Sequence, residues 1–287
     1  LTSPGDIDGT IQTLLDENAD SAFTASPFHY FLWKKEQSGE AVGINHDKRT
    51  RPMRQEREPQ YVETGAVYVM RTEGFLRAKH RFFGKTVMHI TPAERRWEID
   101  EPIDLRVAEL LMLEQRQRQN LQALPNPITG LVMDFDGVFT DNRVIVFQDG
   151  REAVLCDRGD GLGLDRLKKS GLPMLVISTE KNSVVQARCE KLGILCQQGI
   201  SDKIGVLKEW IEKNNLSPIG IIYVGNDIND LACLRYVGCG VAVGDAYPEV
   251  KASAQLVLSA TGGKGAIREL SELIMQRLKE IEYGRCD

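Results

Sequence analysis

The chain has 287 residues, 42% of them apolar and 27% charged, with a formal net charge of −5; this suits roughly two packed domains of ordinary soluble composition. The charge is spread over both halves, so neither offers the concentrated positive field that nucleic-acid binding requires, whereas a small anionic metabolite needs only a local pocket. No apolar run reaches the roughly 18 residues of a membrane helix, and no basic-then-apolar leader opens the sequence, so a cytoplasmic protein with no membrane partner is expected.

Ile7, Ile11, Leu14 and Leu15 recur at helical spacing, and SAFTAS (Ser21 to Ser26) reads as a strand. HDKRTRPMRQEREPQ (His46 to Gln60) reads as a charged loop and TGAVYVM (Thr64 to Met70) as a second strand. A long helix follows in DLRVAELLMLEQRQRQNL, marked by Leu105, Leu110, Leu111 and Leu113. The two prolines of LQALPNPITG (Leu121 to Gly130) end it, which predicts two domains, 1–124 and 125–287.

Beyond that seam strands and helices alternate. GLVMD (Gly130 to Asp134), PMLVIS (Pro173 to Ser178), ILC (Ile194 to Cys196), GIIYVG (Gly220 to Gly225) and GVAV (Gly240 to Val243) read as strands. Helical patterns at Leu162/Leu167, Val184/Cys189/Leu192 and Ile204/Leu207/Ile211 lie between most of them. Apolar strands alternating with helices predict an α/β fold, a parallel sheet covered on both faces. RVIVFQDGREAVLC (Arg143 to Cys156) interrupts this rhythm, and its Asp149-Gly150 predicts a hairpin flap.

The six cysteines (Cys156, Cys189, Cys196, Cys233, Cys239, Cys286) lie in the second half without a CxxC, and the four histidines lie in the first. Zinc ligation would need unusual spacing, so reduced thiols filling a core are expected.

Ligands of open α/β sheets bind beyond the carboxyl ends of the strands. Three predicted strand ends are polar: Asp134 with Asp136, Ser178 with Thr179, and Asn226 with Asp227 and Asp230; Lys203 opens a helix between the last two. One such Asp is usually a turn or cap residue, and a lone Lys203 would usually be a solvated lysine. Together they suggest carboxylates sharing a hard divalent cation, with Mg2+ preferring oxygen ligands. Asp134 could then attack phosphorus while Asp136 protonates the leaving oxygen, and Lys203 and Ser178 hold the phosphoryl charge.

DFDGVFTD, Ser178, Lys203 and GNDIND (Gly225 to Asp230) resemble the haloacid dehalogenase (HAD) phosphatase superfamily. RGDGLGLDRLKKSG, DAYPEV and GGKGAIRE resemble, within it, the capless tetrameric phosphatases of deoxy-octulosonate or nonulosonate (sialic-acid-like) phosphates. The resemblance runs from about Gly130 to Leu278. It implies a Rossmann-like parallel sheet with a flap, Mg2+, a sugar-acid phosphate substrate and a homotetramer. It makes Asp134 nucleophile and metal ligand, and Asp136 acid/base and metal ligand through its carbonyl. Ser178, Thr179 and Lys203 would bind the phosphoryl group, Asn226 and Asp227 would assist the metal, and Asp230 would orient Lys203 or metal-bound water. Lys264 and Arg268 are candidates for reaching a neighbouring subunit's site. Asn226 stands where the family usually has Asp, which removes a charge from the metal site. A related domain in animal CMP-sialic acid synthetases has lost catalytic residues and serves assembly, so a non-catalytic module is the alternative expectation.

The first half resembles a second family. LTSPGDIDGTI, RQEREPQYVETGAVYV and WEIDEPIDLRVAE look like the latter part of CMP-sialic acid synthetases (acylneuraminate cytidylyltransferases), over about Leu1 to Gln115. The resemblance implies a partial nucleotidyltransferase domain, with Arg54, Gln55 and Tyr61 at a sugar-acid pocket and Glu98 and Asp100 as a metal pair. An arginine fork suits a carboxylate, although on charge alone this loop could equally be a solvated surface. The family's nucleotide-binding Gly/Arg-rich loop should precede Thr2, so cytidylyl transfer is expected of a parent protein and not of this chain as given.

Overall fold

The structure is a computed structural model describing residues 2–50 and 52–283; Leu1, Arg51 and Cys286 of the sequence reading lie outside them. It forms two compact units, Leu1–Gln115 and Arg116–Asp287. The division falls inside a helix, upstream of the prolines that suggested a seam.

In the first unit, helix α1 (Pro4–Asp16) opens with proline at its first turn, and Asp6 accepts the Ser3 backbone N–H at 2.8 Å. Its spacing is helical, yet the buried face is Asp6, Thr10 and Leu14, while Ile7, Ile11 and Leu15 are exposed. Asp6 can be buried because Arg95 pairs with it at 2.5 Å, and Arg95 and Ser3 hold its carboxyl below the usual range against burial, which raises it. Strand β1 (Ser21–Phe28) is followed by a small hairpin, β2 (Trp33–Lys35) and β3 (Ala41–Gly43). The charged loop ends in a 3-10 turn (Arg54–Glu56), and strand β4 (Gln60–Met70) begins four residues before the predicted one. Helix α2 (Thr72–Ala78) and strand β5 (Thr86–Ile90), neither foreseen, complete the sheet β4-β1-β5. Helix α3 (Pro102–Ala123) leads out, with Leu105, Leu110 and Leu113 exposed and Leu121 buried.

The second unit contains a six-stranded sheet in the order β10-β9-β6-β11-β12-β13, every ladder parallel. Its strands are β6 (Gly130–Met133), β9 (Met174–Ile177), β10 (Leu195–Gln197), β11 (Ile221–Gly225), β12 (Cys239–Ala242) and β13 (Leu256–Val257), the last not foreseen. Between β6 and β9 stand the flap, β7 (Ile145–Val146) paired antiparallel with β8 (Glu152–Ala153), and helix α4 (Arg158–Lys169). Gly150 supplies the positive φ, +82°, in the flap's turn.

Helices α5 (Ser183–Leu192), α6 (Lys203–Lys213), α7 (Leu231–Tyr236), α8 (Pro248–Ser253) and α9 (Ala266–Tyr283) follow in order. Asp157, Asn182 and Asp202 cap α4, α5 and α6 by accepting backbone N–H groups of their first turns. The central strands are apolar throughout and fully buried, as a parallel sheet covered on both faces requires. Cys189, Cys233 and Cys239 are buried in this unit as free thiols, with Cys156 and Cys196 half-buried. No helix among the described residues is long and apolar enough to cross a membrane.

Candidate active site

Strand β6 runs out of apolar residues at Met133, and Asp134 is the first residue past its end, its N–H donating to the Val224 carbonyl of β11 at 2.9 Å. The backbone therefore fixes where this carboxylate starts. Its Oδ1 accepts the Phe135 N–H at 2.7 Å and lies 2.8 Å from the Lys203 ammonium. Lys203, first residue of α6, reaches inward and also lies 2.8 Å from Asp230 Oδ1. All three side chains are buried.

Two carboxylates around one ammonium in a dry space leave an excess negative charge, and titration reflects it. Burial and the neighbouring Asp230 push Asp134 up to about 7, against the pull of Lys203. Burial disfavours the Lys203 charge, but Asp134 and Asp230 outweigh it and hold the group above the ordinary lysine value.

Asp230 is the most heavily bonded group. Its Oδ1 accepts Lys203 and the Tyr223 hydroxyl, at 2.8 and 2.7 Å, and its Oδ2 accepts the N–H groups of Asn226 and Asp227, at 2.9 and 3.3 Å. It is thus the anchor of Lys203. Tyr223 escaped the sequence reading because it sits inside an apolar strand; its one signal is a hydroxyl-bearing side chain in GIIYVG, three residues before Asn226.

Asp136 follows on the loop after β6, where Gly137 takes φ +75°. A Cβ on Gly137 would collide with the Asn226 side chain, so glycine is what lets these two strand tips meet. Asp136 Oδ2 and Asn226 Oδ1 are both buried oxygens without a hydrogen-bond partner in the protein. Burial, then Glu180, raises the Asp136 pKa, while Lys203 lowers it. A desolvated Asn226 oxygen without a donor is what a bound cation would satisfy. The Asp136 oxygen, on a carboxyl whose pKa is raised, is instead one that a proton would satisfy. Among the described residues no three His, Cys, Asp or Glu side chains cluster as a metal site, and the candidate donors here include a carboxamide and a backbone carbonyl.

Ser178, at the end of β9, is buried and its Oγ accepts the Glu180 N–H at 3.0 Å, leaving the hydroxyl proton to donate elsewhere. Thr179 beside it is exposed. Asp227 directs Oδ1 to the N–H of Ile228 at 2.6 Å, so one of its oxygens caps a turn. Lys264 is exposed, and Arg268 pairs with Glu272 on its own helix at 2.7 Å.

A cavity of about 220 Å3 opens beside Asp136, lined by Phe135, Arg143, Glu152, Glu180 and Asn182 among others. Asn182, which caps α5, also donates to Glu152 of the flap at 2.5 Å, so the cavity is bridged by a tie between flap and body. In the first unit Arg54 and Tyr61 line a separate cavity of about 300 Å3 with Phe28, His29 and Arg57. Gln55 is exposed and is not among its lining residues. Glu98 and Asp100 lie exposed between the 3-10 turn Ala93–Arg95 and α3, with the Glu98 carboxylate against Gly65.

Residues 183–270 match the model of the haloacid dehalogenase-like hydrolases. The 3-deoxy-D-manno-octulosonate 8-phosphate phosphatase KdsC of Salmonella typhi is 34% identical over 158 residues, covering 55% of this chain and 81% of the relative. The N-acylneuraminate cytidylyltransferase of Oncorhynchus mykiss is 26% identical over 281 residues, covering 95% of this chain and 64% of that enzyme. Among solved structures, a putative HAD family hydrolase from Streptomyces avermitilis is 48% identical at a TM-score of 0.52, over 53% of this chain and 87% of its own. The octulosonate 8-phosphate phosphatase of Moraxella catarrhalis, solved with magnesium, phosphate and KDO, is 32% identical at a TM-score of 0.52, over 58% and 92%. The chain belongs to the haloacid dehalogenase-like hydrolases, among the phosphomonoester hydrolases related to KdsC.

Proposed function

We propose that the second unit is a Mg2+-dependent phosphatase of a nonulosonate or related sugar-acid phosphate, within a cytoplasmic, homotetrameric acylneuraminate cytidylyltransferase polypeptide. The observation that carries this reading is the buried Asp134–Lys203–Asp230 array beside the two unpartnered oxygens of Asp136 and Asn226.

Asp134 Oδ1 is already engaged by Lys203 and the Phe135 N–H, which leaves Oδ2 as the attacking oxygen. Attack forms an aspartyl phosphate and breaks the ester P–O bond, and protonated Asp136 delivers its proton to the departing alkoxide. Asp136 then takes a proton from water as that water attacks phosphorus, and phosphate leaves with Asp134 restored. Lys203 and the Ser178 hydroxyl donate to the phosphoryl oxygens, and the cavity under the flap receives the sugar acid. The residues fit Mg2+: Asp134, the Asp136 carbonyl and Asn226 would hold it, with Asp227 alongside. The ion would neutralise charge on the phosphoryl oxygens.

Similarity to a cytidylyltransferase over most of the chain supports the pairing. One unit frees a sugar acid from phosphate, and the other belongs to an enzyme type that activates such acids with CTP. Arg54 and Tyr61 would read the carboxylate there, with Glu98 and Asp100 as the metal pair. Phosphate release from a panel of sugar-acid phosphates, with Asp134→Asn as control, tests the proposal; release no faster than the control sinks it.

Asn226 favours one second reading, in which the unit serves assembly without catalysis. A tetramer that dissociates when residues 125–287 are removed, with no phosphate release by the intact chain, would establish it.

A further inference from the structure

The group that the mechanism above leaves unused is Tyr223. It is fully buried in the middle of β11, with central apolar strands on both sides, and its hydroxyl donates to Asp230 Oδ1 at 2.7 Å. That same oxygen holds the Lys203 ammonium at 2.8 Å, and the ammonium holds Asp134 Oδ1 at 2.8 Å. The four side chains therefore form one unbroken line from the sheet's interior to the candidate nucleophile. We propose that Tyr223 is a positioning residue for phosphoryl transfer, its hydroxyl keeping Lys203 shared between Asp230 and Asp134; this rests on the phosphatase reading.

The physical reason is competition for one ammonium. Lys203 has three N–H bonds: two go to the carboxylates, and the third is available to a phosphoryl oxygen. How far the ammonium leans toward Asp230 depends on how much negative charge Oδ1 still carries. A hydroxyl donating to that oxygen satisfies part of it and weakens its hold on the lysine. The other Asp230 oxygen already accepts two backbone N–H groups, so Oδ1 is the side that can still be tuned. Without the hydroxyl, Oδ1 draws the ammonium back, away from Asp134 and from the space where phosphate arrives. Phenylalanine would fill the same volume in the sheet, so the hydroxyl's role is separable from the ring's.

The test is Tyr223→Phe in the full chain, assayed with Mg2+ and a substrate that the wild type turns over, with inorganic phosphate as a competitive inhibitor. The expected result is a kcat about tenfold lower together with an inhibition constant for phosphate several-fold higher, because one displaced ammonium serves both. A merely structural role would lower the folded fraction and kcat but leave that inhibition constant in place, which would overturn the proposal. Asp230→Asn, alone and combined with Tyr223→Phe, supplies a second measurement. Effects that add on a logarithmic scale would also overturn the proposal, whereas a double variant no worse than Asp230→Asn supports it. An active wild type with an unaltered Tyr223→Phe sinks this inference alone. A wild type that hydrolyses no phosphate ester sinks the phosphatase reading as well.

Discussion

The Lys203 ammonium lies 2.8 Å from Asp134 Oδ1 although both side chains are almost entirely removed from solvent. Neither charge could be kept there alone, since an unpaired buried ion costs several kcal/mol. The contact thus ties a helix start to a strand end.

Replacing the nucleophile isosterically should stop chemistry. Asp134→Asn is expected to lower phosphate release by at least ~10³-fold, because a carboxamide cannot form the acyl phosphate. A phosphate-release assay on protein with an unchanged circular dichroism spectrum checks this.

Lys203→Met should both inactivate and destabilise. It leaves Asp134 and Asp230 buried without their cation, a loss on the order of 3–5 kcal/mol. Protonating a carboxylate relieves the repulsion, so the loss should be smaller at pH 5 than at pH 8. Urea unfolding of metal-free protein at the two pH values reads both the size and the direction.

Asn226→Asp restores a charge at the strand tip beside Asp136. Mg2+ should bind about tenfold more tightly, or ~1.4 kcal/mol. The metal-free variant should be less stable than the wild type, because one more carboxylate joins the cluster. Calorimetric titration with Mg2+ and thermal unfolding in chelator give the two answers without any activity assay.

Asp160 offers a pH effect away from the chemistry. Burial pushes it up to about 6, while Oδ1 accepts the Arg268 N–H of α9 at 2.8 Å. The folded state therefore binds the proton more tightly than the unfolded chain does. Its contribution is fully present below about pH 4 and is lost as pH rises through about 6. Asp160→Asn keeps an acceptor and removes the charge, so it should stabilise by about 2 kcal/mol at pH 7.5 and by much less at pH 4. Unfolding curves at the two pH values decide it.

The periodic parts of the second unit were readable because a doubly covered parallel sheet demands continuous apolar strands. GLVMD, PMLVIS and GIIYVG each end where the polar site residues begin. The flap was readable from Asp149-Gly150. What stayed hidden depends on contacts that no local pattern encodes. The outward face of α1 is the apolar one because Arg95, far along the chain, pairs with Asp6. β13 is two residues long and owes its existence to β12. In the site, Asp134 and Asp230 could be grouped from the strand ends they follow, and Lys203 from the helix start between them. The Tyr223 hydroxyl, the Asp227 turn cap and the tie from Asn182 to the flap needed coordinates.

The order of strands bears on how a ribosome delivers this protein. Gly130 of β6 pairs with Ile221 of β11, about ninety residues later. At roughly 5–20 residues per second, translation needs on the order of 5–18 s to supply that partner. β9 reaches one flank sooner, but the other edge of Leu131, Val132 and Met133 stays open throughout the wait. Slow codons between the two strands would prolong the exposure, and a holdase acting on nascent chains would find its natural target there.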